Sequence, residues 1–217
     1  TNQSTTTDFY NVAAVAAATG SSTIANHTSG QINNAFSFQN QTNEPLFAFN
    51  LTPESGPATT TRLEIEVSGY SKSILNTTDF TNFRLYRDND NDAAYDVTDT
   101  QVGGTGVFSL WSQNNQYGTI VFTEDFLATT TNNYILVADW TYPALGSHMT
   151  LDLKPAGIDM LDTDGPVTVS GEVDHIQHNR NNKGGGGGSS AAIGGAAPAG
   201  DGVITGGGAG GGGTIDT

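Results

Sequence analysis

The chain has 217 residues, 22 of them acidic against 7 basic, with no cysteine and a formal net charge of −15. That balance excludes a nucleic-acid partner and an anionic membrane surface, both of which are bound mainly through Lys and Arg, and the missing cysteines exclude disulfides and thiol chemistry. No apolar run approaches the roughly 20 residues of a membrane helix, so no membrane insertion is expected.

Residues 1–30 form an extension rich in Thr, Asn, Ser and Ala, interrupted by the apolar stretch "DFYNVAAVAAATG". Small apolar residues of this kind suit a segment lying in a groove, as an added strand or a short helix; the plainer reading is the first strand of its own domain. An opening at Thr1 instead of methionine fits a cleaved signal peptide and fits a trimmed chain equally. Residues 31–178 carry the alternating patterns of β-strands. In "RLEIEVSGY", Leu63, Ile65 and Val67 alternate with Arg62, Glu64 and Glu66, so a strand there buries one face and wets the other. Further strands are predicted at "AFSFQ", "LFAFNL", "FRLY", "GVFSLW", "GTIVF", "NYILVADW", "MTLDL" and "VTVSGEV". Between them stand turn signals such as "PESGP", "VGGTG", "QNNQYG", "TTTNN" and "PALGS". No stretch reads as an amphipathic helix of several turns. The expectation is therefore an all-β antiparallel β-sandwich, immunoglobulin-like or jelly-roll, with most aromatics, Trp111 and Trp140 among them, in its core. Residues 179–217 hold 16 of the 28 glycines within the last 34 positions and cannot build a core alone, so they read as a tail or linker.

Chemistry is concentrated in "RDNDNDAAYDVTD", residues 87–99, which packs five carboxylates into a chain otherwise poor in charge. Counted from Asp88 as position 1, acids fall at positions 1, 3, 5, 9 and 12 (Asp88, Asp90, Asp92, Asp96 and Asp99), and Ala94 at position 7 offers a carbonyl. Alternate oxygens turned inward over twelve residues are the ligand spacing of a calcium loop. Without a cation the acids repel one another; the bland reading is a solvated acidic turn.

On these residues the stretch resembles the Asp-rich calcium loops of dockerins, of thrombospondin type 3 repeats and especially of bacterial surface-adhesin repeats, where a "lyxDxNxxGxxDxxD" pattern sits inside a β-sandwich. The resemblance covers about residues 83–110 and implies a calcium site in a secreted protein. It departs from the pattern at position 6, where Ala93 replaces a glycine in the left-handed turn, and at position 12, where Asp99 is shorter than the bidentate Glu; both lower the expected affinity. A second cluster, Asp159, Asp162 and Asp164 in "DMLDTDG", offers too few ligands and reads as a turn.

Little else suggests reactivity. His175 and His178 in "HIQH" would point to opposite faces of a strand, His27 and His148 stand in no catalytic motif, and no G-x-S-x-G elbow occurs. Glu64 and Glu66 fall on the wet face of one strand, where neither gains the apolar pocket that paired acid catalysis needs. No enzyme is expected. Five N-x-S/T sequons begin at Asn2, Asn26, Asn40, Asn50 and Asn76 and suggest an extracellular surface able to carry glycans.

Together these features predict a secreted, calcium-stabilised structural subunit of an extracellular filament or surface layer. It would self-associate into a homopolymer by exchanging a terminal strand, in the manner of donor-strand pili. A second expectation is a carbohydrate-binding module of a secreted multi-domain protein, with Trp111, Tyr117 or Trp140 stacking on sugar rings. A non-polymerising adhesin repeat is a third. Exposure of those aromatics separates the first two.

Overall fold

The computed structural model describes residues 20–32, 35–37, 40–68, 80–111, 117–141 and 148–179. These form twelve strands: β1 (Gly20–Asn26), β2 (Gln41–Pro53), β3 (Ala58–Ser68), β4 (Phe80–Asp88), β5 (Thr100–Leu110), β6 (Tyr117–Phe122), β7 (Phe126–Ala128), β8 (Asn132–Trp140), β9 (His148–Asp152), β10 (Ile158–Leu161), β11 (Val167–Gly171) and β12 (Ile176–Asn179). Two 3-10 turns, Ala35–Ser37 and Pro155–Gly157, join them, and no α-helix occurs among the described residues. The all-β expectation holds.

The strands pair in the order β11-β1-β2-β8-β4-β5-β6-β3-β9-β12, with β7 and β10 also on β3. Pairing is antiparallel except for β1 with β11, which runs parallel from Gly20 opposite Val167 to Ile24 opposite Gly171. This mixed edge differs from the purely antiparallel sandwich expected from sequence. It also places Gly20–Asn26, within the expected extension of residues 1–30, inside the sheet between β2 and β11. The proposed donor segment "FYNVAAVAAA" and the Gly-rich tail lie outside the described residues.

β5 carries the chain from one face to the other. Its first half pairs with β4 as far as Gly106, and its second half, Val107–Leu110, pairs with β6. "VGGTG", expected as a turn, is the bend inside this strand. Gly103 and Gly104 have φ of 67° and 72° at a register shift opposite Arg84/Leu85, and a Cβ on Gly106 would lie 2.7 Å from the Phe122 ring. Glycine is required here because the backbone both turns left-handed and runs against an aromatic.

The core between the faces is fed by alternation. Leu63, Ile65 and Val67 of β3 point inward as predicted, against Phe47, Phe49, Leu85, Tyr134, Leu136 and Trp140 from the other face. Each such side chain contributes on the order of 1.5–3 kcal/mol by leaving water. The described part of "AFSFQ", Ala35–Ser37, is a 3-10 turn instead of the expected strand, and Phe36 packs edge-on to Trp140 there, with ring centroids 5.6 Å apart. Buried His178 on β12 holds this turn, accepting the Ala35 N–H at Nδ1 (3.1 Å) and donating from Nε2 to the Leu46 carbonyl (2.6 Å). "DTDG" is the predicted turn, with the Asp162 carboxylate accepting the backbone N–H groups of Asp164 and Gly165.

Candidate metal-binding loop and aromatic cleft

β8 is buried over nearly its whole length, which alternation alone does not explain. Its inward residues Tyr134, Leu136 and Ala138 join the main core, while Ile135 and Val137 form a second apolar cluster with Ala48 of β2 and Tyr86 of β4. Ala93 and Tyr95 of the acidic loop pack onto that cluster, with Ile32 from the segment after β1. The Tyr86 and Tyr95 rings sit 4.7 Å apart. The loop between β4 and β5 is thus a roof over the outer face of one sheet. A polar sequence is pinned there by the two aromatic and aliphatic side chains it can spare.

The loop begins at Asp88, the last residue of β4, whose side chain is buried. Its Oδ1 accepts the Asn91 N–H at 2.7 Å, and its Oδ2 accepts the Ala93 N–H at 2.8 Å and faces His27 Nε2 at 2.8 Å. The Ser29 N–H donates to His27 Nδ1, so Nε2 carries the proton that meets Asp88. Asn133 of β8 reaches across to Asn91 Oδ1 (2.7 Å) and Thr28 Oγ1 (2.8 Å), tying the loop to the end of β1. Asn91 and Ala93 take φ of 61° and 63°; Ala93 therefore occupies a left-handed position where a calcium loop carries glycine.

Carboxylate oxygens of Asp88, Asp90 and Asp99 converge within 4.8 Å of one another and could hold a metal ion. These are positions 1, 3 and 12 of the predicted spacing. Asp92 and Asp96 lie outside the cluster: Asp92 accepts the Ala94 N–H, and Asp96 accepts both the N–H and the hydroxyl of Thr98. The donor set fits a hard cation. Of about four lone-pair positions on a carboxylate, Asp88 has three engaged by N–H donors and its fourth shared with Asp90, where a cation would replace the proton, while Asp99 has two, taken by the N–H groups of Asn89 and Asp96. Burial alone would raise the Asp88 carboxyl; the Ala93 and Asn91 amides, Asp90 and His27 outweigh it and hold it below the usual range. Asp90 is pushed up, first by sharing a hydrogen bond with Asp88, then by burial and the charges of Asp92 and Asp96. Two acids this close hold either a shared proton or a cation.

The remaining candidate residues separate clearly. Trp140 is 3% exposed and packs on Phe36 and Phe80, so it is core. Trp111, expected in the core, is 67% exposed and stacks on Tyr117, 46% exposed, with centroids 5.5 Å apart. It lies just beyond β5, after the strand has left the interior. The pair borders a cleft of about 470 Å³ on the outer face of the second sheet, the part formed by β6, β3, β9 and β12. Of the sequons, Asn2 and Asn76 lie outside the described residues and Asn40 is exposed. Asn26 donates its side-chain amide to Asp174, and Asn50 donates its own to the Asn26 carbonyl. No helix among the described residues is long and apolar enough to cross a membrane.

No protein-family model matches the chain, and no curated protein matches it. Among solved structures it is similar to a chain of the crystallised CaDoc0917–CaCohA2 complex, at 10% identity, over 74% of this chain and 99% of that one, with a TM-score of 0.24. At that score the likeness carries no functional assignment.

Proposed function

We propose that the chain is a calcium-stabilised β-sandwich module of a secreted structural protein, a component of an extracellular filament or surface layer. The observation that carries this reading is the convergence of Asp88, Asp90 and Asp99 in a loop that also roofs Ile135 and Val137. A cation there offsets the repulsion among the acids and locks the roof onto the sheet, so the ion acts as a fastener and not as a catalyst. A net charge of −15 draws cations and keeps copies soluble until a specific contact joins them. Self-association by exchange of a terminal strand, in the manner of donor-strand pili, is part of this proposal.

Two measurements test this. Thermal melts in millimolar calcium and in chelator are expected to differ by several degrees, and coincident melts would refute the fastener. Electron microscopy in calcium is expected to show ordered filaments from the whole chain and none after removal of residues 1–19, which leaves β1 intact; dispersed monomers from both would refute the assembly role.

A further inference from the structure

The outer face of the second sheet, remote in the fold from the acidic loop, carries a row of side chains that the structural role does not use. Register aligns Tyr117 of β6 with Ser68 of β3, Ser68 with Thr150 of β9, and Thr150 with Gln177 of β12. Residues paired in this way share a face of the sheet. Their in-line neighbours Gly118, Val67, Leu151 and Ile176 belong to the opposite, inward face, where Val67, Leu151 and Ile176 are buried. At about 4.8 Å per strand the row crosses roughly 14 Å. Trp111 and Tyr117 wall one end. Beside the row, Glu66 pairs in register with Asp152, and Lys154 bonds to both carboxylates, with the Asp152 contact at 3.4 Å.

We infer that this cleft binds a neutral glycan, laid across the strands with one sugar ring against the Trp111–Tyr117 stack. Three features select that chemistry. β6, β3 and β9 under the row each pair on both sides, and the edge strand β12 lies at the end of the row opposite the Trp111–Tyr117 stack, so recognition over the rings falls to side chains. Those side chains are hydroxyl, amide and carboxylate, the partners of a polyhydroxylated ligand, and Lys154 fixes the two acids in place as acceptors. The stacked rings give a flat apolar surface that stays open to water, a poor arrangement for a monomer's surface unless something covers it. The sign of the chain argues against acidic polysaccharides, which an overall charge of −15 repels.

The inference does not depend on calcium, and its test keeps the two apart. The full chain is run in native gels cast with a soluble β-glucan, a xylan, a mannan or polygalacturonate, and chito-oligosaccharides are titrated against its Trp fluorescence. At least one neutral glycan is expected to retard the chain or shift its emission. Trp111→Ala and Tyr117→Ala are each expected to weaken binding about tenfold or more, with melting unchanged because both side chains are exposed. Asp90→Asn, in the acidic loop, is expected to bind as the parent does. Absence of binding to every neutral glycan, binding that survives Trp111→Ala, or binding to polygalacturonate only would each overturn the inference.

Discussion

His27 Nε2 lies 2.8 Å from Asp88 Oδ2, both side chains buried, in residues 61 positions apart. This contact joins the end of β1 to the start of the acidic loop, so an edge-side strand helps set the geometry of the first candidate ligand. His27→Ala should lower stability by about 1–3 kcal/mol, because it strips one donor from a buried carboxylate. Calcium affinity should fall with it, while His27→Gln, able to donate one hydrogen bond, should recover part of both. Thermal melts and calcium titrations of the two variants check this; identical behaviour of His27→Ala and parent would contradict it.

Asp90 and Asp92 look alike in the sequence but should not behave alike. Asp90 converges with Asp88 and Asp99, whereas Asp92 is occupied by the Ala94 N–H. Asp90→Asn is expected to remove most of the melting gain produced by millimolar calcium, which for a ligand at 100-fold its Kd is about 2.7 kcal/mol. Asp92→Asn should keep most of that gain. Equal losses in the two variants would show that the ion is held by a different set of oxygens.

Ala93 sits at φ 63°. A side chain there costs roughly 1 kcal/mol that glycine does not incur, partly offset by the packing of the Ala93 methyl on the Tyr86 cluster. Ala93→Gly should therefore raise the melting temperature in calcium by a few degrees, and Ala93→Val should lower it. A drop on Ala93→Gly would mean that the methyl's packing outweighs the backbone term.

His178 is buried, and loss of water around it lowers its pKa from 6.5 to about 4 despite its bond to the Leu46 carbonyl. With a folded value below the unfolded one, the unfolded chain binds the extra proton first as pH falls. Stability is thus full above about pH 6.5, declines through the window down to about pH 4, and has lost on the order of 3 kcal/mol there. Denaturant melts across this window should show that slope, and His178→Gln should flatten it. A slope unchanged in the variant would assign it to other groups.

Asp139 clamps two irregular strands. Its carboxylate accepts the Asn43 N–H (2.8 Å), the Asn82 amide (2.6 Å) and Arg84 (2.8 Å), and Asn43 and Asn82 are the left-handed residues of the bulges in β2 and β4. Burial pushes this acid up, and those three donors more than reverse it. Asp139→Ala should cost about 2 kcal/mol and loosen both bulges, visible as faster hydrogen exchange at Asn43 and Arg84. Exchange rates equal to the parent's would separate the bulges from the clamp.

Legibility in the sequence followed local physics. β3 was readable because Leu63, Ile65 and Val67 alternate with charges, and the acidic spacing was readable because positions 1, 3 and 12 do converge. β7 and β10 were missed because each is only three or four residues long and borrows its order from β3. The roles of His27 and Asn133 had no local signal, since their partners lie 61 and 42 residues away. "NYILVADW" looked like an ordinary strand; only the tertiary roof over Ile135 and Val137 explains why both its sides are apolar. Ala93 was the available clue to the turn, standing where a glycine was expected. Trp111 was misplaced because exposure depends on where β5 leaves the sheet, which its neighbours do not encode.

That roof has a consequence for handling. A chain deprived of calcium keeps its main core but is expected to lift Tyr95 from Tyr86 and wet the patch formed with Ile135 and Val137. Chelation should therefore yield a sticky intermediate instead of an unfolded chain, binding hydrophobic dyes and clumping at concentrations where the calcium form stays dispersed. Light scattering that rises in chelator and falls on re-addition of calcium would mark the ion as a chaperone of surface wetting.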